Sequence, residues 1–452
     1  MGPRTFNHAF DAFGKLHSFK FYGNGSVSLS TKFLRYEFYN TSILTNNVAP
    51  YTLFEPVTPR FDAYEIAESF TNGMDNTNVN IIRVYNKQIQ KYEYMTMNDI
   101  WKVYKVDGNS LDTLFAISPE VKLDKLVYVG AMSSAHPAKE YGKENYITFL
   151  TRISKIPGIK SQMTLYRMNT ISERKEMVTW EIDEPRYIHS FSVTQNYVVI
   201  LAPPIIVSTL KLMEHGDIWE SLEWNEKSPL FVYLIDINTS KVTTLKYDDT
   251  VFFFHHINAY EIEDTIVVDV CILTNSTSVT IYELNYLQNP KIRDSTLFSE
   301  KIKRFIIDAK NLTVQSNEFT SSLKVPYSTN FDFPVINEKF RHMKYCFAFG
   351  KAIKIDNVHF NKIPIVKKDL CGTTGDKAWT LDNNYPSEAW FVPTPGGSRE
   401  DDGVFLTHVF DGIMKETYLV IINATTMVTI SRATLPINMP ISFHGRFFED
   451  HI

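Results

Sequence analysis

One local pattern recurs along the chain: a short run of Val, Ile, Leu, Tyr or Phe enters a turn of Asp, Asn, Gly, Ser and Thr, and a second such run leaves it. It reads Val103-Tyr104-Lys105-Val106-Asp107-Gly108-Asn109-Ser110-Leu111, then Leu234-Ile235-Asp236-Ile237-Asn238-Thr239-Ser240-Lys241-Val242, then Leu419-Val420-Ile421-Ile422-Asn423-Ala424-Thr425-Thr426-Met427. β-branched and aromatic side chains fit a pleated, half-buried surface, and Asp and Asn reverse the chain by accepting hydrogen bonds from the backbone just ahead. Helical periodicity is scarce. Adjacent antiparallel strands repeated with irregular inserts suit the blades of a β-propeller, whose axis can gather one residue from each of several blades. The copies are too divergent to count blades. At 452 residues and 44% hydrophobic, the chain can bury a large core, as one β domain or as several.

Charge excludes one class of partner. There are 46 Lys+Arg against 51 Asp+Glu, and no dense basic cluster interleaved with aromatics tracks a phosphate backbone, so nucleic acid is not expected. The three cysteines, Cys271, Cys346 and Cys371, match neither a zinc spacing nor an even-numbered disulfide framework, which fits a reducing, intracellular setting and predicts a cytoplasmic protein. The start, Met1-Gly2-Pro3-Arg4-Thr5-Phe6, has no apolar signal core and no Ser/Thr at position six for myristoylation. Asn238-Thr239-Ser240 and Asn423-Ala424-Thr425 then read as turns rather than glycan sites. The longest apolar run, 197–207, is too short to span a bilayer and is broken by Pro203-Pro204, so no transmembrane helix is expected. Residues 202–224 crowd Ile205, Ile206, Leu210, Ile218 and Trp219 among Lys211, Glu214 and Glu220. They predict either an inserted helix packed on the core or an apolar surface in peripheral contact with a membrane.

Four of the twelve histidines stand far apart inside strand-like apolar stretches: His136 in Ala-His-Pro, His189 in Tyr-Ile-His-Ser-Phe, His255 in Phe-Phe-Phe-His-His-Ile-Asn, and His444 in Ile-Ser-Phe-His-Gly. Imidazoles buried among aromatics need partners for both ring nitrogens, and four such sites are best explained as ligands converging on one metal, read here as non-haem iron. His256 follows His255 directly. Neighbours in a strand face opposite sides, so only one of the two points to a shared axis, and spacing alone does not choose. His8, His17, His215, His342, His359, His408 and His451 lie in polar or turn-like contexts and take no role.

The flanks of these histidines carry a resemblance. Phe-His-His-Ile-Asn-Ala-Tyr-Glu (254–261), Tyr-Ile-His-Ser-Phe (187–191), Ser-Phe-His-Gly (442–445), Asn-Tyr-Pro-Ser-Glu (384–388) and Glu-Asp-Asp-Gly-Val (400–404) together resemble the carotenoid cleavage oxygenase family. Its animal branch, the β-carotene oxygenases and the retinal pigment epithelium isomerohydrolase, is the most similar. Asn7-His8-Ala9-Phe10-Asp11 through Leu16-His17-Ser18-Phe19 extends the likeness to the start, so nearly the whole chain, 1–452, reads as one domain.

The resemblance implies an all-β, seven-bladed propeller with a helical and loop cap over an axial Fe(II) site. His136, His189, His255 and His444 take the ligand places, which selects His255 over His256. In the family three glutamates accept the outer N–H groups of ligand imidazoles. Glu388 matches one; Asp332 in Phe-Asp-Phe-Pro and Asp99, upstream of Trp101-Lys102-Val103, take the others. Each aspartate is one methylene shorter, to be met by a backbone shift, a water bridge or a weaker hold on its histidine. The start reads as shortened against the family, and Pro56-Val57-Thr58-Pro59 replaces a Pro-Asp-Pro-Cys-Lys stretch, so no lipidated cysteine is carried over.

The implied activity is oxidative cleavage of one conjugated double bond of a carotenoid or apocarotenoid by O₂, giving aldehyde fragments. The substrate is a lipophilic polyene held in an aromatic tunnel for which Phe252, Phe253, Phe254 and Phe443 are candidate walls. The alternatives are retinoid isomerohydrolysis on the same scaffold and a non-catalytic propeller that binds carotenoid or a protein partner. Which polyene, which bond and which oligomeric state do not follow from the residues.

Overall fold

The computed structural model describes residues 2–121, 124, 126–273, 280, 282–295, 300–319, 331–352 and 363–449. His359 and His451 lie outside them. The described strands form an all-β propeller of six antiparallel sheets of four or five strands, where seven blades were expected. The first sheet runs from Asn80–Asn86 to Thr113–Ile117, the second from Tyr128–Met132 to Arg174–Ile182, and the third from Ser192–Val193 to Val242–Tyr247. The fourth runs from Phe252–Ile262 to Thr313–Glu318, the fifth from Asp332–Val335 to Lys377–Trp379, and the sixth from Asn384–Pro386 to Val428–Thr434.

A two-stranded sheet, Lys15–Phe21 paired with Val27–Phe33, stands between the first and the sixth. On one side the Phe19 ring lies 6.2 Å from that of His408 in the sixth sheet. On the other, Lys32 Nζ reaches Asp112 at 2.5 Å and the Arg35 N–H donates to Thr113 Oγ1 at 2.8 Å, both in the first.

The recurring pattern is the outer hairpin of a blade. At each of its three copies an acid or amide opens the turn: Asp107 Oδ1 accepts from the N–H groups of Asn109 and Ser110, Asp236 Oδ1 from Asn238 and Thr239, and Asn423 Oδ1 from Thr425 and Thr426. The chain then closes through a left-handed residue, Leu111, Ser240 or Met427, with φ of 59°, 61° and 58°. Asp308 and Leu312 repeat the same geometry in the fourth sheet. The side-chain acceptor, not a glycine, stabilises these turns.

Apolar residues that alternate along the strands fill the spaces between neighbouring sheets. Val232, Val268 and Phe305, all fully buried, belong to a cluster joining the third and fourth sheets; Phe149, Leu165 and Ile200 join the second and third; Phe349, Phe405 and Val420 join the fifth and sixth. Truncating one such side chain to alanine costs about 2–5 kcal/mol. These packed interfaces hold the inner strands, and hence the axial residues, in fixed relation.

The cap is made of residues 5–13, 49–61 and several short helices. Ala63–Asn72 opens with a capping box between Asp62 and Glu65. Isolated bridges pair Thr5 with Thr58, His8 with Glu283 and Leu53 with Asp217. Residues 202–224 fold as a hairpin carrying two short helices rather than as one helix. Pro203-Pro204 and the β-branched run after them favour a hairpin, Ile205–Val207 paired with Leu222–Trp224, which encloses the short helices Thr209–His215 and Ile218–Ser221. Leu210 projects, 78% exposed, whereas Trp219 turns inward and donates its backbone N–H to Phe54 O at 2.7 Å. The Met213 side chain lies outside the description. Among the described residues no helix is long and apolar enough to cross a membrane.

The cysteine expectation is corrected. Cys346 and Cys371 form a disulfide, and only Cys271 is free and buried. Sequence spacing misled because the pair is brought together by strand register: Phe347 lies opposite Asp369 on neighbouring antiparallel strands, and the two cysteines flank that pair.

Candidate metal centre

The four imidazoles meet at the centre of the ring. One nitrogen from each of His136, His189, His255 and His444 lies within 4.8 Å of the other three, the one such group of metal-binding side chains among the described residues. Each comes from a different part of the propeller. His136 precedes the short strand Ala138–Lys139 of the second sheet, His189 leads into the third, His255 lies in the first strand of the fourth, and His444 is in the irregular segment after the sixth. Serine hydroxyls tie these inner segments together: Ser134 Oγ donates to His189 O at 2.6 Å, and Ser190 Oγ donates to Phe254 O. A bridge pairs His136 with Ser190.

Three of the outer ring nitrogens face carboxylates. His189 Nδ1 lies 2.6 Å from Asp99 Oδ2, His255 Nδ1 lies 2.7 Å from Asp332 Oδ1, and His444 Nδ1 lies 3.0 Å from Glu388 Oε1. Both aspartates therefore reach their histidines directly, with no water bridge needed. At Asp332 the backbone makes up the missing methylene: the pairing with the next strand shifts register between Asp332 and Val335, and Phe333 takes φ of 53°. Asp99 is held by the Ala135 N–H on Oδ1 at 2.8 Å and by the Tyr187 hydroxyl on Oδ2 at 2.7 Å. Glu388 Oε2 accepts from the Gly445 N–H at 2.7 Å.

His136 is the exception. Among the described residues its Nδ1 has only the Asn80 amide nitrogen, at a long 3.5 Å, and that nitrogen also donates to Ala135 O at 2.8 Å. Burial, then the other three imidazoles and Arg446, hold His136 well below the usual histidine range. His444 is also lowered by burial, against the pull of Glu388. Burial raises Glu388, but the His444 ring, Arg446 and the Gly445 N–H outweigh it and the carboxyl titrates low.

This arrangement fits a cation. In the neutral tautomer that donates Nδ1–H to the facing carboxylate, His255 and His444 each leave Nε2 as a bare lone pair, and these two atoms face each other at 3.2 Å. Two acceptors at that distance repel unless a positive charge lies between them. Four neutral nitrogen donors with no carboxylate among them suit a borderline divalent ion such as Fe(II), and outer carboxylates are the usual partners of metal-bound histidines.

Sequence reasoning missed three neighbours. Tyr187, two residues before His189 and on the same face of an extended segment, could have been found by period-two alternation. Asn80 and Phe333 carried no local signal; the Phe333 ring lies 5.3 Å from His255 and 5.8 Å from His444. Of the expected walls, Phe254 lies 5.3 Å from the His189 ring and Phe443 stacks on Phe333 at 5.8 Å. Phe252 packs on Phe254 at 4.7 Å. Phe253 faces away, into the core between the third and fourth sheets. His256 does likewise, with Nδ1 2.7 Å from Ser192 Oγ and its basicity lowered by burial to about 3.

Comparison with known proteins agrees with this geometry. Beta,beta-carotene 15,15'-dioxygenase of Homo sapiens is 26% identical over 100% of this chain and 88% of its own length. Carotenoid-cleaving dioxygenase, mitochondrial, of Homo sapiens is 25% identical over 99% of this chain and 83% of its own. A mutant of Synechocystis apocarotenoid oxygenase superposes with a TM-score of 0.79 at 21% identity, covering 99% of this chain and 89% of that one. A chimera of that oxygenase with RPE65 gives 0.76 at 21%, covering 98% and 88%. At such identity these structures bear on the fold alone. A sequence model described as RPE65, retinal pigment epithelial membrane protein, matches residues 1–449, and with four converging histidines on a propeller axis the chain belongs to that family.

Proposed function

We propose that the chain, 1–452 as a single domain, is an iron-dependent dioxygenase that cleaves a conjugated double bond of a carotenoid or apocarotenoid to aldehydes. The observation that carries the reading is the convergence of one nitrogen from each of the four histidines, with Nε2 of His255 and His444 facing each other at 3.2 Å. His136, His189, His255 and His444 are the iron ligands, and Asp99, Asp332 and Glu388 fix the tautomer and plane of three of them. Ferrous iron in such a donor set supplies activation of dioxygen.

The remaining work belongs to the protein. Phe10, Phe54, Phe254, Phe333, Phe443 and Tyr282 form a connected aromatic lining beside the imidazoles, with ring centroids 4.9–6.2 Å apart. A rigid polyene held against these faces presents one double bond to the centre and excludes water from it. The names of the human relatives, which cleave carotenoids, point the same way.

Three finer points belong to this reading. The Lys15–Phe33 sheet is a reduced seventh blade that closes the ring. Lipophilic substrate enters from a membrane surface through residues 202–224, without a spanning helix and without contact to nucleic acid. The protein works in the cytoplasm at that surface; free, labelled Cys346 and Cys371 in cell extract would support this, whereas an intact Cys346–Cys371 bond there would overturn it.

Aerobic incubation of iron-loaded protein with β-carotene and a panel of apocarotenoids should give cleavage aldehydes that disappear with His255→Ala. Absence of products across the panel would sink the assignment.

A further inference from the structure

Beside the metal centre lies an amine that the cleavage reaction does not use. Lys351 ends the strand Phe347–Lys351 of the fifth sheet, opposite Asp332 in register, and is 7% exposed. Its Nζ lies 5.4 Å from the centroid of the Phe333 ring. That same ring touches His255 and His444 and stacks on Phe443, so the amine is one ring away from the imidazoles and borders the aromatic lining. Among the described residues no hydrogen bond or ion pair engages it. A buried lysine that served only as a counter-ion would sit against a carboxylate, as Lys367 does at 2.6 Å from Asp401. Lys351 instead feels Glu388, Glu300 and Asp332 only at a distance, and burial outweighs them, pushing its ammonium down to about 8.

An amine that is desolvated, unpaired and partly neutral near physiological pH is a nucleophile for carbonyl carbon. We infer that Lys351 captures a polyene aldehyde as a reversible imine beside the metal centre. The nitrogen lone pair bonds to the carbonyl carbon, the carbonyl oxygen takes up two protons and leaves as water, and a C=N bond results. Hydrolysis reverses each step, and no oxidant or reductant is consumed. The proposal rests on the cleavage reading only for the origin of the aldehyde; the Phe333 and Phe443 faces would hold the conjugated chain. Such an imine would retain the fragment until water re-enters the site.

The test supplies the aldehyde ready-made. Purified protein is incubated with all-trans-retinal, reduced with sodium borohydride, digested and mapped by mass spectrometry. The expected result is a reduced adduct concentrated on Lys351, falling to the level of the exposed lysines in Lys351→Met and in Lys351→Arg, which keeps the charge and cannot form the imine. Adducts on exposed lysines alone, or labelling equal in wild type and Lys351→Arg, would overturn it, and mapping in the wild type decides even where a variant does not fold. Because retinal is added, a trapped Lys351 adduct in protein that cleaves no carotenoid would refute the oxygenase reading and leave this site standing.

Discussion

The axial centre and the cap above it solve the same electrostatic problem in opposite ways. At the axis, each carboxylate facing an imidazole meets it directly: Asp99, Asp332 and Glu388 lie 2.6–3.0 Å from ring nitrogens, and backbone N–H groups hold Asp99 and Glu388 as well. In the cap, Asp11, Glu55 and Asp217 crowd one another, and burial pushes Asp11 and Glu55 up to about 7 and Asp217 to about 6. Asp11 accepts from the Phe54 and Glu55 N–H groups and Asp217 Oδ1 from the Glu220 N–H, but among the described residues Glu55 Oε2 and Asp217 Oδ2 are buried without a hydrogen-bond partner, beside a cavity of about 70 Å³ that Arg60 and His215 also line. Paired polar networks rigidify, whereas unpaired buried carboxyls lower local stability. The contrast teaches that the axial carboxylates are spent on fixing imidazole geometry, whereas those of the cap carry a charge that burial opposes.

The largest effect that would break this contrast is loss of a ligand. His255→Ala should abolish iron retention, read by metal analysis, while the interlocked sheets keep their circular dichroism. Next, Asp332→Ala should weaken iron affinity or activity by about 10–100-fold, because an imidazole without its outer partner loses its fixed tautomer. Asn80→Ala should cost far less, since its 3.5 Å approach to His136 is no real hydrogen bond. Equal losses at Asp332 and Asn80 would contradict the reading that carboxylate pairing orders the axial centre.

The cap gives a smaller, pH-dependent effect. Glu55 has its folded pKa raised from 4.5 to about 7 by burial, then by Glu283, Asp217 and Glu220. Its contribution to stability is therefore complete below about pH 4.5 and is lost as pH rises through about 7. Glu55→Gln should match wild type at pH 4 and exceed it by roughly 1 kcal/mol at pH 8 in thermal unfolding, after allowance for solvent screening. A pH-independent difference would remove the charge argument. The smallest effect on the fold is expected of Leu210→Glu, which leaves stability unchanged and reduces sedimentation with liposomes; unchanged sedimentation would exclude this surface from membrane contact.

The parts of the molecule written in local chemistry were legible in the sequence. Asp and Asn before a left-handed residue encode the outer hairpins, and the apolar flanks of His136, His189, His255 and His444, with the family resemblance, led to the centre and to Glu388, Asp332 and Asp99. What was illegible depends on register and packing. The Cys346–Cys371 bond follows from which strands pair, not from spacing. Phe333 enters the site only because a register shift and φ of 53° turn it there. Lys351 reads in sequence as an ordinary charged strand end, and only the ring of blades buries it. Blade number was likewise beyond a repeat whose copies differ so much, and the described sheets number six.

The central claim is that four imidazole nitrogens share one iron. Diffraction from crystals of the purified protein, measured on either side of the iron absorption edge, tests it directly. The account predicts a single anomalous peak within coordination distance of Nε2 of His136, His189, His255 and His444, lost in His255→Ala. A peak elsewhere, or one from which any of the four rings is turned away, would contradict it.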